Sequence, residues 1–542
     1  MLIVGAGEFD DGGGFCVVAL FVYFCMFMKG ENHSGARIAR NTLMLYIRMF
    51  ALMLVGLYAS RVVLAALGEN DYGIYNVIGG VVAMFTMISG ALNSAIQRFI
   101  TYEMGKGAQA QMNKVYSSAV IIQLALALVI VALAEPVGLW FIDNKMTIDP
   151  SRIPAARMVL HFSLLAFVIN LMSVPQMASI TAHEHMSAYA WIGILDGGLR
   201  LGVALAIAHS SSDRLVLYAA LMALVVIIVR AAYGLYCRRN FPECRFRAHV
   251  DKGLIKEMFS FAGWNFVGVT SGVLRDHGGN ILINLFSNPA VNAARGVAIQ
   301  LNGAVQGFVT NFMTAVNPQI TKSYASGEHE YTFSLVRRAS RLSFCLLYLL
   351  ALPVIFNAEY LLGIWLKEVP QHAPLFVQLF LIFALSESMS NPMITAMLAT
   401  GNIRRYQIVV GGLQLLNLPV SYVCLKLGAI PEVTVVVAIV ISQICLWARL
   451  IMLNKVTGFP VLPFIEKVYC TLLFKVVCGS VWLPIFIEVA KPEGFLGFAI
   501  SAVGCVLVTL LAVWLLGLQS DERQWAVERL KGAVERLKGK KK

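Results

Sequence analysis

The chain has 542 residues, of which 58% are hydrophobic and 13% charged, and its mean hydropathy is +0.73. No water-soluble domain of this length buries so much apolar surface, so a soluble enzyme is excluded and the surrounding solvent is lipid. The formal net charge of +13 does not point to nucleic acid, because most Lys and Arg stand in short loops between apolar runs, where they report topology.

In chain order, residues 1–41 form an N-terminal segment. Phe15 to Met28 is apolar but short, and a Gly- and Asp-rich stretch without basic residues precedes it, which makes a poor signal peptide. Lys29 to Arg40 is polar and basic, so residues 1–27 are expected to be a start-site extension, with translation beginning at Met26 or Met28. From Thr42 the apolar runs predict about fourteen membrane helices, each near the ~20 residues that a bilayer requires. The first six are Thr42 to Leu67, Tyr75 to Ile96, Val115 to Ala134, Arg157 to Met177, Ala188 to Ala208 and Leu215 to Cys237. A basic linker over 238–257 leads to Met258 to Leu285, Val291 to Val316, Leu342 to Phe356, Pro374 to Met397, Gln407 to Leu427 and Val433 to Leu453. Two further runs, Val468 to Val489 and Phe495 to Leu516, occupy residues 455–517. The tail, 518–542, repeats Ala526-Val-Glu-Arg-Leu-Lys-Gly532 as Ala533 to Gly539 before three lysines, and reads as a basic amphipathic helix resting on anionic lipid.

An even number of spans puts both termini on one side. Roughly 28 basic residues fall on that side against about six on the other, the asymmetry that marks the cytoplasmic face. One missed helix would scramble it. The ten cysteines are scattered, mostly inside apolar runs, with no Cys-x-x-Cys pair, so neither a disulfide framework nor a zinc site is expected.

The two halves repeat. Gln97, Tyr102 and Gly105 recur with the same spacing as Gln319, Tyr324 and Gly327; Gly138-Leu-Trp140 recurs as Gly363-Ile-Trp365; Ser173-Val-Pro175 recurs as Ser390-Asn-Pro392. These matches follow in order at equivalent places, which predicts an N-lobe over 42–237 and a C-lobe over 258–454. Each lobe is expected to have about six helices and the same orientation, with a binding cavity between them, an arrangement that transporters use. The fold expected is therefore an all-α membrane protein of two parallel-repeat lobes plus a C-terminal helix pair.

The run Asn41-Thr-Leu-Met-Leu-Tyr-Ile-Arg-Met49, with Ser60-Arg-Val-Val-Leu64 and Leu67-Gly-Glu-Asn-Asp-Tyr-Gly-Ile-Tyr-Asn76, resembles the polysaccharide-transport flippases of the multidrug/oligosaccharidyl-lipid/polysaccharide (MOP) exporter superfamily. Ser94 to Gly105 and Asn317-Pro-Gln319 fit the same group. The resemblance runs from about Asn41 to Leu516. It implies two helical bundles forming a V around a central cavity. The implied work is moving an undecaprenyl-pyrophosphate-linked oligosaccharide from the cytoplasmic to the outer leaflet of a bacterial inner membrane. The implied partners are that lipid-linked oligosaccharide, membrane lipids and polysaccharide assembly proteins.

Such a cargo is anionic at its head, and arginine suits phosphate because its planar fork stays charged and donates in pairs. The candidate cavity cations are Arg48 and Arg61 in the first span, Arg275 in the seventh and Arg295 in the eighth. Arg48 and Arg61 lie about six residues, or roughly 9 Å, from the span ends and can snorkel; their separation turns them about 220° apart, so a straight helix aims only one at a cavity. Arg275 is followed by Asp276 and His277, which compete for its charge. Asp196 and Arg200, one turn apart, read as an intrahelical ion pair. Glu387, beside the helix break expected at Ser390 and Pro392, is the leading candidate for Na+ or H+ coupling, with Asp196 second. No other cofactor and no metal is expected. Arg230 is read as snorkelling, and His183-Glu184-His185 as a solvated loop. The competing readings are a cation-coupled multidrug exporter of the same superfamily and a membrane glycan polymerase or ligase. The short outer loops offer the latter little beyond Asp143, Asp149 and Glu368.

Overall fold

The computed structural model describes residues 34–517 except 84–85, 145, 147, 248–250, 288, 367–368 and 479–493. Residues 1–27, the tail 518–542 and much of the expected thirteenth span lie outside the described residues. What is described consists of helices and turns, with no strand among them. The first half comprises α1 Ser34–Ala83, α2 Thr86–Gly105, α3 Gln109–Asn144, α4 Ile153–Met172, α5 Val174–Ala182, α6 Met186–Ala208 and α7 Arg214–Asn240. The second comprises α8 Lys252–Phe286, α9 Pro289–Ala325, α10 His329–Phe356, α11 Ala358–Trp365, α12 Ala373–Ala399, α13 Arg404–Leu415, α14 Asn417–Lys426 and α15 Val433–Thr457. A short α16, Val461–Phe464, runs into a π-helix over Ile465–Val477, and α17, Gly494–Ala512, completes the fold with a last π turn at Val513–Gly517.

The breaks follow residue chemistry. Within α1, Gly68 sits at φ 76°, ψ 170°, a conformation that a β-carbon forbids, and there the expected first and second spans part company. Ser173 separates α4 from α5 at the Ser-Val-Pro sequence, dividing the span expected to run unbroken from Arg157 to Met177. Its counterpart does not break: α12 runs unbroken through Pro392. The Ser340 hydroxyl donates to Met389 O at 2.9 Å beside it, and α12 is packed in the middle of the C-lobe against α9, α10 and α15, so the neighbours hold the helix that proline alone would interrupt.

Ten described helical segments are long and apolar enough to cross a bilayer, against the expected fourteen. The expected second span is divided at residues 84–85, which lie outside the described residues, and the expected seventh and eighth are helical but too polar to count: α8 carries Arg275, Asp276 and His277 in succession, and α9 carries Asn292, Gln300, Asn302, Gln306 and Asn311. Helices that face partner helices and a polar cleft escape the hydropathy that lipid demands.

The packing shows the internal repeat directly. In the N-lobe, α1 lies along α6, α2 on α5, α3 on α4 and α4 on α7; in the C-lobe, α8 lies along α13, α9 on α12, α10 on α12 and α12 on α15. Each pair in one lobe has its equivalent in the other. Contacts between lobes obey the same relation, since α2 meets α8 and α1 meets α9. The last elements pack outside this symmetry, with the π-helix and α17 against α10.

At the end opposite the basic loops, Arg152 ties the N-lobe together. Its guanidinium bonds Asp71 and also Asp213, at 2.8 Å from Nη1, joining three separate connections. Burial alone would raise the Asp213 carboxyl. The Arg152 bond, the Val216 and Leu215 N–H groups and the nearby positive charge outweigh it and hold the pKa below the usual carboxylate range. A depressed carboxylate stabilises the fold above its unfolded pKa and loses that contribution as pH falls through the folded value. The melting temperature of the detergent-purified protein should therefore fall on acidification below about pH 4, and Asp213→Asn should lower it at neutral pH while flattening that acid dependence. An unchanged pH profile in the variant would show that the bridge does not couple to folding.

Candidate functional site

The bonds joining the lobes gather in the half of the bundle nearest the basic loops. Tyr46 of α1 donates from its hydroxyl to Phe308 O at 2.8 Å, and Asn311 Nδ2 points at Met49 Sδ at 3.2 Å. Asn265 of α8 donates to Ala91 O at 3.3 Å, and the Phe99 and Phe261 rings meet edge to face at 5.8 Å. Toward the opposite end Gly56, Gly272, Gly296 and Gly303 of the same helices have open space beside them, where a methyl group would meet no atom within 4 Å. The bonds that join the lobes thus lie at the basic end.

Two symmetry-related contacts make the closure. In the N-lobe turn after α5, Glu184 is 3% exposed and accepts from Gln319 Nε2 and Lys322 Nζ of α9, each at 2.6 Å. It does so at φ 60°, a left-handed conformation that costs a side-chain-bearing residue about 1–2 kcal/mol. In the equivalent C-lobe turn after α12, Gly401 has φ 79°, and Arg98 of α2 donates to Ala399 O at 3.1 Å while stacking on Phe99 and Tyr102. Gly105 completes the joint, since a β-carbon there would lie 2.6 Å from the Lys322 carbonyl. The expectation that His183-Glu184-His185 is a solvated loop is thus corrected. His183 bonds the buried Glu243 and stacks on Phe241 at 4.0 Å, while His185 Nδ1 lies 2.8 Å from the Tyr236 hydroxyl. A loop that closes between two lobes is desolvated by them, which its polar sequence does not reveal.

The C-lobe interior brings Arg275 and Glu387 together. Arg275 lies over the Phe383 ring at 4.7 Å and bonds Asp276 at 2.9 Å, and it feels the charges of Glu387 and Arg449. Arg449 of α15 is 2% exposed, 3.7 Å from Glu387, with its Nε 3.3 Å from the Tyr406 hydroxyl. Glu387 therefore has an arginine partner from another helix, and a carboxylate shared by two guanidiniums repels a cation. This geometry favours an anchor for arginines over an ion ligand. Arg295 is 4% exposed and fully engaged by Asn280 at 2.7 Å, Asp276 O at 3.2 Å and Thr434 at 3.4 Å, with Phe380 beneath it.

The N-lobe has a parallel cluster. Arg48 lies over the Tyr189 ring at 4.3 Å, packed where only a glycine, Gly193, leaves room. Asp196 and Arg200 form the intrahelical pair at 2.9 Å. Arg230 does not snorkel: its Nε donates to Asn170 at 3.0 Å, and it senses Asp196 and Arg200. Arg61 stands apart, exposed on the diverging half of α1. Among the described residues no three metal-ligating side chains gather.

Sequence reasoning missed Arg449, four residues inside its apolar run, and the amides of α9. There Asn302, Gln306 and Thr310 recur every fourth residue along one face, a spacing that was legible. It also missed Glu184, whose role only the partner lobe supplies. Removing one partner of a buried charge pair costs about 3–5 kcal/mol, so Glu184→Ala should open the basic end, and Gly105→Ala should act the same way by forcing the joint apart. Spin labels at exposed Lys106 and Glu328 should show a longer-distance population in both variants that is minor in the parent. A single short distance throughout would rule out the latch.

Residues 38–324 match the polysaccharide biosynthesis protein family. No curated protein matches the sequence. Among solved structures, the fold is similar to an outward-facing multidrug resistance MATE family transporter of the MOP superfamily, at 12% identity and TM-score 0.67 over 80% of this chain and 98% of that one. It is also similar to a MOP superfamily transporter from Pyrococcus furiosus whose binding pocket is described as of reverse polarity, at 12% identity and TM-score 0.64 over 81% and 98%. A Vibrio cholerae MATE transporter shares 18% identity and TM-score 0.64 over 78% and 96%. With more than half of its length matched, lobes that repeat each other's packing and a cleft between them, the chain belongs to the polysaccharide biosynthesis protein family of the MOP superfamily and is a multi-pass membrane transporter.

Proposed function

We propose that the protein is a flippase that carries a lipid-linked oligosaccharide, anchored on undecaprenyl pyrophosphate, from the cytoplasmic to the outer leaflet of a bacterial inner membrane for cell-surface polysaccharide synthesis. One observation carries this reading: arginines outnumber carboxylates inside both lobes. Arg48, Arg200 and Arg230 surround a single Asp196, and Arg275, Arg295 and Arg449 share Asp276 and Glu387. A cleft walled by net positive charge in low dielectric attracts a pyrophosphate and repels a cationic drug. A cation-coupled multidrug exporter shares the fold, and this charge balance is what disfavours it here.

In this reading Arg61, exposed on α1, and Arg275, partly buried on α8, take the pyrophosphate. Glu387 and Arg449 hold Arg275 in place, and Asp196 does the same for the N-lobe arginines. The amide stripe of α9 offers paired donors and acceptors to sugar hydroxyls. With the basic end cytoplasmic, along with both termini, the structure faces outward, and breaking the Glu184 latch leads to the inward-facing state. Sodium or proton coupling then acts on that equilibrium rather than through a bare Glu387 site.

Deleting the gene should leave the lipid-linked glycan accumulated on the cytoplasmic membrane face, as read by a membrane-impermeant glycan probe on oriented vesicles; an unchanged distribution would contradict the assignment. Arg61→Gln with Arg275→Gln, at normal protein level, should cut transport at least tenfold, since a charge-assisted hydrogen bond contributes about 1.5–3 kcal/mol. Full transport in the double variant would remove these residues from binding.

A further inference from the structure

On the N-lobe, away from the cleft, α3 and α4 carry two acid–base pairs along their common seam. Asp143 accepts from Arg157 at 2.9 Å near the helix ends, and farther down Glu135 Oε1 lies 3.3 Å from His161 Nδ1. The Asp143 pair stands at the level of Trp140, three residues away, where the headgroups begin. The Glu135 pair stands below it. Glu135 is eight residues, about 12 Å, inside Asp143, and His161 is four residues, about 6 Å, inside Arg157. Both belong to segments long and apolar enough to cross a bilayer.

These groups nevertheless face outward. Leu124, Leu128 and Glu135 share one face of α3, and Arg157, His161 and Leu165 recur every fourth residue on one face of α4. The three leucines are exposed, and so is 42% of the Glu135 side chain and 43% of that of His161. Ionisable groups at membrane depth almost always face a bundle interior or a water-filled cavity. A carboxyl and an imidazole joined to each other still have hydrogen-bonding atoms left over, and hydrocarbon satisfies none of them. The exposed leucines alone suit lipid; the pair between them requires another layer of protein.

The internal repeat shows such a layer in place. Glu135 stands three residues before Gly138-Leu-Trp140, as Tyr360 stands three before Gly363-Ile-Trp365. Tyr360 is covered, its ring stacked on Phe498 of α17 at 5.1 Å, and nearby Asn357 Nδ2 donates to the Ser501 hydroxyl of the same helix at 3.1 Å. The C-lobe face is thus one on which a further helix docks, and the chain supplies that helix itself. The equivalent N-lobe face has no such cover among the described residues.

The charge pattern identifies the occupant. Both acids are on α3 and both bases on α4. Two copies inserted in the same sense are related by a twofold axis along the membrane normal, which makes the contact self-complementary and keeps every residue at its own depth. With the axis on the seam, each α3 faces the other copy's α4. Glu135 then meets His161 of the partner subunit, and Asp143 meets Arg157 of the partner subunit, so acid opposes base at both levels. We propose that the α3–α4 face is the interface of a homodimer, in which a second copy takes the place on the N-lobe that α17 holds on the C-lobe. The dimer leaves the cleft of each copy untouched and is independent of the cargo.

The test is photocrosslinking of the full-length protein in its native membranes, with Leu128→benzoylphenylalanine on the proposed face and Val440→benzoylphenylalanine on α15 as the control, both at exposed positions. A product of twice the chain mass should form from position 128 and at least tenfold less from position 440. Glu135→Lys should cut that product about tenfold, because both symmetry-related contacts are lost at once. Exchanging acid and base in Glu135→His/His161→Glu should restore it, which a misfolded protein could not show. Absence of a product at position 128 would make the face lipid-facing, and a product of any other mass would give it to a different membrane protein; either overturns the proposal. So would equal products at both positions, full crosslinking in Glu135→Lys, or an exchange variant that melts like the parent and fails to recover the product.

Discussion

An arginine inside a membrane remains charged, and leaving it unpaired at the bilayer centre costs at least about 2.5–3.5 kcal/mol. Most of this molecule's interior can be read as the response to that constraint. Arg48 rests on Tyr189, Arg230 on Asn170, Arg295 on Asn280 and Thr434, and Arg449 on Glu387 and Tyr406. The acids are too few to neutralise them, so amides, hydroxyls and aromatic faces supply the remaining solvation. What results is a pair of rigid, positively biased walls in which few side chains are free to move. Arg61, on the open half of α1, is an exception, and its exposure is what makes it available to a cargo.

The repeat turns two such walls into a machine with an axis. Equivalent helices pack on equivalent helices in each lobe, and the lobes touch through α2 on α8 and α1 on α9, the two halves of one symmetric joint. At its ends the same turn is used twice, once with Gly401 and once with the strained Glu184. Gly401 adopts the left-handed conformation without cost. Glu184 endures it because its carboxylate is held by Gln319 and Lys322 of the other lobe, so the strain is relieved by parting the lobes. One closing contact is therefore a guanidinium on a backbone carbonyl, and the other a carboxylate held by an ammonium and an amide.

The last helices belong to neither wall. They cover the outer face of α10, packed against it outside the symmetry that relates the lobes.

Membrane location, helix order and the existence of two equivalent lobes were legible from composition, apolar runs and the matched Gln97/Gln319, Tyr102/Tyr324 and Gly105/Gly327 pairs, because the bilayer imposes a length and polarity on every span. The helix break was expected at the wrong one of the two matched prolines: it falls at Ser173, inside a span read as continuous. The unbroken course of α12 through Pro392 was not legible, since Ser340 and the surrounding helices decide it. The partners of the charged residues were equally hidden. Nothing local to Glu387 points to Arg449 sixty-two positions away, and nothing in a polar tripeptide shows that Glu184 is buried against the opposite lobe. Sequence determines which groups enter the membrane, through the free energy of transfer of each segment. Only the tertiary structure decides which of those groups neutralise one another, because pairing depends on distances between helices that the chain order does not contain.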